Sequence, residues 1–595
     1  MSEYKNSSDD SEMVAEILRK HERDRSEQQP VRDERIPDLA FARWSQNDDD
    51  MTQACTTEFL GEFNIVSRER KNIQAEFRQN EVEVKFRHKK EDDDELDKFV
   101  QGKYRTDRRL SKSRQCYNIA QDDVIDCGFG AWRLHTEDID SEDALDTTLQ
   151  IARSPIPEAI RTVFFDSSSK LADKSDAMWC SVITSYNEDS YKKFLDDNGI
   201  EASFNSFNAP YQSVYETLYP GQSMSYPLYS SGQREINLLE FYQVEPETVT
   251  YWQYLGVDAE TGAEKINAIE EKEAKAAGLP KPFRKKKVKK DRCFKYVTNG
   301  CEILLRSQVP GGLIPIIPIY GERNFVNGIE NFYGLVKAAK DPQKLINASY
   351  NYLASLMMFS PVPKPVYDPR EIEGFESDYD DANSHLLAYQ RKNKTFLSQD
   401  GKDIPFATEY TQPAQIPPAV TALISQLPGI TDSILNPGVT EDSFSSDMSG
   451  VALQQVKEQV GVMRYIFLDN WNESMRRDGE VYAAMLAETV DTNTSVVITN
   501  SDGTTSNEMA NDQYFDVKSM TVETKNPIKG AQFNVYSDVG PSYQSQRDAA
   551  LGNLKELFTS LPPGDPMQRI VMLSILSKQD GEGLEEVNKV ARFEM

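Results

Sequence analysis

The sequence predicts an α+β, multidomain chain with long helices and mixed sheets, and three observations carry that expectation. At 595 residues it exceeds one compact core, which points to about three to five domains. Apolar residues step by three or four through VALQQVKEQVGVMRYIFLDNWNESMRRDGEVYAAMLAE, a long helical pattern, while EVEVKF (81–86) alternates apolar and polar as a half-buried strand does. Residues 361–418 are proline-rich, irregular and bounded by prolines at both ends, which reads as a small separate module.

In chain order, residues 1–12 read as disordered, MVAEILRKHERDRSEQ (13–28) as an amphipathic helix and RERKNIQAEFRQ (68–79) as another. After strand 81–86, residues 91–127 read as a pair of charged helices and 128–139 as a turn and strand. INLLEFYQV (236–244) and TVTYWQYL (248–255) are two strand-like segments, and FKYVTNGCEILL (294–305) holds a hairpin signal at Asn299–Gly300. Asp341 is placed to cap a helix with Pro342 at its first position, ending before the prolines of SPVPKPVYDP. Ile346, Tyr350, Leu353 and Met357 fall on one face of it, with Leu345, Tyr352 and Leu356 beside them. PPAVTALISQL (417–427) is a short helix that Pro428–Gly429 kinks or ends. NPGVTEDSFSSDMSG (436–450), acidic and turn-rich, leads into the long helix. That helix carries a core stripe of Val456, Val460, Met463, Phe467 and Trp471, extended by Ala452 and Met475. SVVITNSDGTT (495–505) reads as strand and turn, and residues 541–595 as helical again.

Composition excludes several classes. The longest apolar run, GLIPIIPIY (312–320), is too short for a membrane helix, and the N-terminus lacks the apolar core of a signal peptide. Six scattered cysteines form no CxxC pair and read as reduced, buried small residues. There is no P-loop, GxSxG or HExxH motif, and the four histidines are too dispersed for a metal or acid–base site. The acidic runs 47–50, 91–95 and 378–384 could ligate Mg²⁺, but contiguous carboxylates read better as solvated surface. No cofactor and no metal is expected. The net charge of −29 argues against gripping nucleic acid, though not against surrounding it loosely. Against that background KPFRKKKVKK (281–290) sets seven positive charges in ten residues. It reads either as a polyanion patch or, preferably, as a solvated arm before a strand, charged to discourage edge pairing.

The order of parts, with several local segments, resembles the portal proteins of tailed double-stranded-DNA bacteriophages, most closely the short-tailed (podovirus) Salmonella-phage type. The segments are YRTDRRLSKSRQCYNIA and GFGAWRL (104–134), VFFDSSSKLADKSDAMWCSVI (163–183), IPIIPIYGERNFVNG (314–328), NWNESMRRDGEVY (470–482) and YSDVGPSYQSQR (536–547). DSFSSDMSGVALQQVKEQV (442–460) is a looser match, and the resemblance covers nearly all of residues 40–590.

The resemblance implies a ring-forming, multidomain portal fold of wing, stem, clip and crown. Residues 1–340 would be the N-terminal arm and wing, 341–359 the first stem helix, 360–415 the clip and 416–433 the second stem helix. Residues 434–448 would be the tunnel loop, 449–540 the long helix and return to the wing, and 541–595 the crown. The chain stops at NKVARFEM, where such portals usually begin a long C-terminal barrel, so the phage lacks a barrel or the chain has been shortened. Glu441, Asp442, Ser443, Ser445, Ser446 and Asp447 would then line the DNA channel, their carboxylates repelling moving DNA. Tyr367, Tyr379, Arg391 and Lys392 would contact the tail adaptor. Further implied partners are eleven more copies of the chain, double-stranded DNA, the terminase large subunit, and capsid and scaffolding proteins, with no membrane. The protein would be a non-enzymatic virion component assembled in the host cytoplasm. The rival readings are another ring or adaptor of the head–tail connector and, from a different class, an Mg²⁺-dependent phosphoesterase.

Overall fold

The computed structural model describes residues 8–47, 60–79, 82–89, 94–138, 149–200, 229–230, 235–257, 264–276, 278, 280–359, 365–366, 368–380, 391–397, 401–405, 409–410, 418–435, 450–490, 494–499, 505–516, 521–528 and 530–539, with isolated positions 558, 568, 571, 572 and 575. The chain divides into two compact units, one of residues 1–40, 68–337 and 446–595, the other of 41–67 and 338–445. Helix and mixed antiparallel sheet occur together, as an α+β chain requires. The helices expected over 541–595 lie outside the described residues, apart from the isolated positions.

In the first unit the strand Val82–His88 buries Val82, Val84 and Phe86 and exposes the alternate residues, pairing antiparallel with Phe533–Val539. Helices Asp94–Leu110 and Ser113–Cys127 follow as expected. Gly128 ends the second at φ 87°, its N–H reaching the Val124 carbonyl at 2.9 Å. A Cβ at Gly128 would lie 2.3 Å from the Tyr333 backbone, so glycine is required twice over there. Phe129–Asp138 then lies between Ile316–Tyr320 and Leu149–Pro155 in a three-stranded sheet.

The N-terminal helix is longer than the sequence pattern indicates. It runs Ser8–Arg43, taking in residues 8–12 and passing through Pro30 and Pro37. Tertiary contacts overcome the prolines: Arg32 donates to the Val163 carbonyl at 2.7 Å and stacks on Phe164 at 4.1 Å, and Gln28 reaches the Phe165 carbonyl at 2.8 Å.

The two strands expected at 236–244 and 248–255 are one, Glu235–Val257, the spine of a seven-stranded sheet. Pro246 does not break it. On one side it faces Asp291, and on the other it falls between the partners of Gln243 and Tyr251, where no described strand needs its missing N–H. The hairpin at Asn299–Gly300 is present, with Gly300 at φ 89° and the Asn299 side chain accepting from Cys301 and Glu302 N–H at 3.0 Å each. The basic run is not an arm before a strand: from Arg284 it is strand, continuous to Thr298 and paired with the spine from Gln253 onward. Cys116, Cys127, Cys180, Cys293 and Cys301 are free and buried, while Cys55 lies outside the described residues.

A helix expected to begin at Asp341 starts instead at Leu335, in the first unit, has Pro342 inside it and ends at Phe359 in the second. Gly334, where a Cβ would meet the Ile125 carbonyl oxygen at 2.4 Å, marks the true start. Val336 and Ala339, both fully buried, hold the extra turns although Pro342 offers no N–H to residue 338. Likewise Pro418–Leu435 continues through Pro428 rather than stopping there. Between these helices lie a 3₁₀ turn at Pro369–Glu371, a short helix at Glu376–Asp380 and two small strand pairs.

Candidate functional site

The helix Gly450–Thr489 is 40 residues long and follows the acidic stretch directly. Its C-terminal half is rooted in the core of the first unit. Phe467, Trp471 and Met475 are buried as expected, and Trp471 packs on Tyr117 and Trp132 with ring centroids 5.4 Å from each. The side chains of Val456, Val460 and Met463 lie outside the described ones. Tyr465 and Ile466 are exposed.

Below Met475 the stripe turns polar, which the periodicity does not reveal. Asp478 is fully buried and accepts from Tyr104 Oη at 2.8 Å, Trp132 Nε1 at 2.7 Å and Arg153 Nη2 at 2.9 Å. Asp107, also buried, takes Lys103 Nζ at 2.7 Å and Tyr482 Oη at 2.9 Å. Burial opposes the Arg153 charge, but Asp478 outweighs it and raises the guanidinium's pKa. Burial, then Asp478, pushes the Tyr104 phenol well up. Hydrogen bonds drawn from two helices and two strands lock the root of the long helix to its sheet, although Arg153 Nε is left without a partner. Asn470 Nδ2 and Ser474 Oγ add bonds to the carbonyls of Gly321 at 2.7 Å and Pro318 at 2.8 Å, pinning the strand beside it.

In the second unit the described face of the Leu335–Phe359 helix departs from the expected apolar stripe. Ile346 is buried and Tyr350 and Leu353 half-buried, while Leu345 and Tyr352 beside them are exposed. The buried row is instead Gln343, Asn347 and Asn351, four residues apart. Their side-chain oxygens accept from Ile65 N at 3.0 Å, Phe63 N at 3.0 Å and Gly61 N at 2.8 Å. Gln343 Nε2 returns a bond to the Phe63 carbonyl at 2.7 Å, and Asn351 Nδ2 one to Gly61 at 3.3 Å. Four helical residues rise about 6 Å and two extended residues about 6.7 Å, so the amides act as a surrogate strand for segment 60–65. The i, i+4, i+8 spacing of amides is the signal that could have disclosed it.

Glu441, Asp442, Ser443, Ser445, Ser446, Asp447 and Tyr367 lie outside the described residues. Tyr379 is half-buried on the Glu376–Asp380 helix. Arg391 is exposed yet engaged, bonding Asp378 through Nε and Nη2 at 2.9 Å each and stacking on Phe375 at 5.0 Å. That hydrogen bonding lowers the Asp378 pKa. Lys392 Nζ bonds buried Glu371 at 3.0 Å. The two cations therefore hold their own module together.

A family model described as phage P22-like portal protein matches residues 18–595. The chain belongs to that family. It is also 28% identical over 600 residues to a protein named portal protein from Acyrthosiphon pisum secondary endosymbiont phage 1, covering 98% of this chain and 80% of that one. The chain is thus a phage portal for DNA packaging, a virion component of a family that forms a capsid-associated ring and meets terminase and tail. The family is structural rather than enzymatic. Among the described residues no helix is long and apolar enough to cross a membrane. A cleft of about 370 Å³ is lined by, among others, Arg133, Lys295 and Glu240. Burial would raise the Glu240 carboxyl, but Arg133 and Lys295 hold it down at about 2, so it stays ionised between the two cations.

Proposed function

We propose that twelve copies of the chain form a ring at one capsid vertex, with the acidic stretch 434–448 lining a channel that conducts double-stranded DNA inward during packaging and outward during ejection. The observation that carries this reading is the long helix, rooted through Phe467, Trp471 and Asp478 and leading back directly to Glu441, Asp442 and Asp447 in sequence. A rigid base suits a segment that must face moving DNA without binding it. Residues 341–359 and 416–433 serve as stem helices, 360–415 as the clip, 541–595 as crown, and the rest as arm and wing. The clip, internally stapled by Arg391 and Lys392, docks the tail adaptor and terminase large subunit, while capsid and scaffolding proteins surround the ring during assembly in the host cytoplasm. The protein itself does no chemistry, so the motor is the terminase.

Complementation of a portal-deficient phage tests the reading. The wild-type chain should restore DNA-filled heads. A variant with Glu441, Asp442 and Asp447 replaced by lysine should restore rings but not filled heads. Filled, infectious heads from the variant would overturn the channel assignment.

A further inference from the structure

The basic run belongs to the free side of a sheet. The strand Arg284–Thr298 pairs with the spine along its whole length, but Ile303–Val309 covers its other side only from Cys293 to Thr298. Among the described residues, nothing pairs with that outer side between Arg284 and Arg292. Its cations fall into two sets. Lys285 bonds Glu271 at 3.4 Å, Lys290 bonds Glu488 at 3.1 Å, and Arg292 is paired with Glu247. Lys281, Arg284, Lys286, Lys287 and Lys289 are exposed and have no acidic partner among the described residues. Directly across from Lys287 and Lys289 stand Thr250 and Thr248, hydroxyls in place of carboxylates.

We propose that this edge binds the sugar–phosphate backbone of double-stranded DNA without reading its sequence. Alternate residues of a strand repeat about every 6.7 Å, so Lys285, Lys287 and Lys289 share one face at a spacing close to two phosphate steps along a DNA strand, each about 3.4 Å along the axis. The two threonines add hydroxyl donors of the kind that phosphates accept. An acidic protein surface is the less suitable partner. Lysine is depleted from protein–protein interfaces, which need an apolar centre, and between residues 281 and 290 only Phe283 and Val288 are large and apolar. DNA interfaces are instead strongly cationic and polar. In a chain of net charge −29, such an edge concentrates attraction in one place. The proposal is separate from the channel reading, because a ring can conduct DNA whether or not this strand touches it.

The test is fluorescence anisotropy of the full-length protein with a short labelled duplex, titrated at 50 mM and 200 mM salt. The wild type should bind at low salt and lose affinity steeply as salt rises. Lys287→Gln/Lys289→Gln, which removes the two unpaired cations of that face, should bind several-fold more weakly at low salt, with a log–log salt slope shallower by about 2. The corresponding double arginine variant, which keeps the charges, should bind as the wild type does; melting curves of all three proteins should coincide. Absence of wild-type binding, or equal affinity and slope for the glutamine variant, would overturn the proposal. So would a glutamine variant that binds DNA normally but loses self-association, since the edge would then dock a second copy of the chain.

Discussion

At the scale of single residues, the strongest claims concern groups that the fold has removed from water. His21 is buried, its Nδ1 2.9 Å from Ser181 Oγ and its ring edge-on to Phe164. Burial, reinforced by Arg25 and Arg32, lowers its pKa from 6.5 to about 3. The unfolded chain therefore binds a proton between those values that the folded chain does not. Stability is full above 6.5 and is lost as pH falls toward 3, by about 1.4 kcal/mol for each unit. The melting temperature of wild type should thus drop more between pH 7 and 5.5 than that of His21→Gln; parallel pH profiles would refute this. Asp478→Asn should cost about 3–5 kcal/mol, because it strips the counter-charge from buried Arg153. Urea unfolding measures it, and a shift under 1 kcal/mol would show the network to be dispensable. Neither residue was legible as important: a lone histidine and an aspartate within a helical pattern carry no sequence signal of burial.

At the scale of elements, the sequence pattern located most helices and strands, because periodicity reports the buried face directly. Val82–His88, Asp94–Leu110, Ser113–Cys127 and Gly450–Thr489 appear where apolar spacing puts them. Its failures cluster at prolines. Pro342 and Pro428, expected to start and to kink or end helices, lie inside them, as Pro30 and Pro37 lie inside the first helix, and Pro246 sits within one strand expected as two. The amide row Gln343, Asn347 and Asn351 escaped for a related reason, since polar residues at helical spacing read as a solvated face. Asn347→Leu leaves the Phe63 N–H without its acceptor and should cost about 1–3 kcal/mol. Hydrogen exchange should show faster exchange at residues 61–65; unchanged protection would disprove the amide row's hold on segment 60–65. By contrast Trp471→Ala, a pure cavity in the aromatic cluster, should cost about 3–5 kcal/mol.

At the scale of the whole molecule, function was legible through the resemblance and the order of parts, while the acidic net charge set its physical sense. A ring of such chains multiplies negative charge around one duplex and leaves no deep wells to stall it. The expected channel residues lie outside the described ones, so their role rests on sequence order and family. Replacing Glu441, Asp442 and Asp447 by lysine changes the charge by six units per chain. Ring stability should scarcely alter, since solvated charges contribute little, whereas DNA should bind within the ring at low salt and stall. The most direct measurement is electron cryo-microscopy of the assembled wild-type protein. The account predicts closed rings around a central hole, with the heads of the Gly450–Thr489 helices and Glu441, Asp442 and Asp447 facing it. Compact monomers, or rings that carry those three residues on the outer wall, would contradict it.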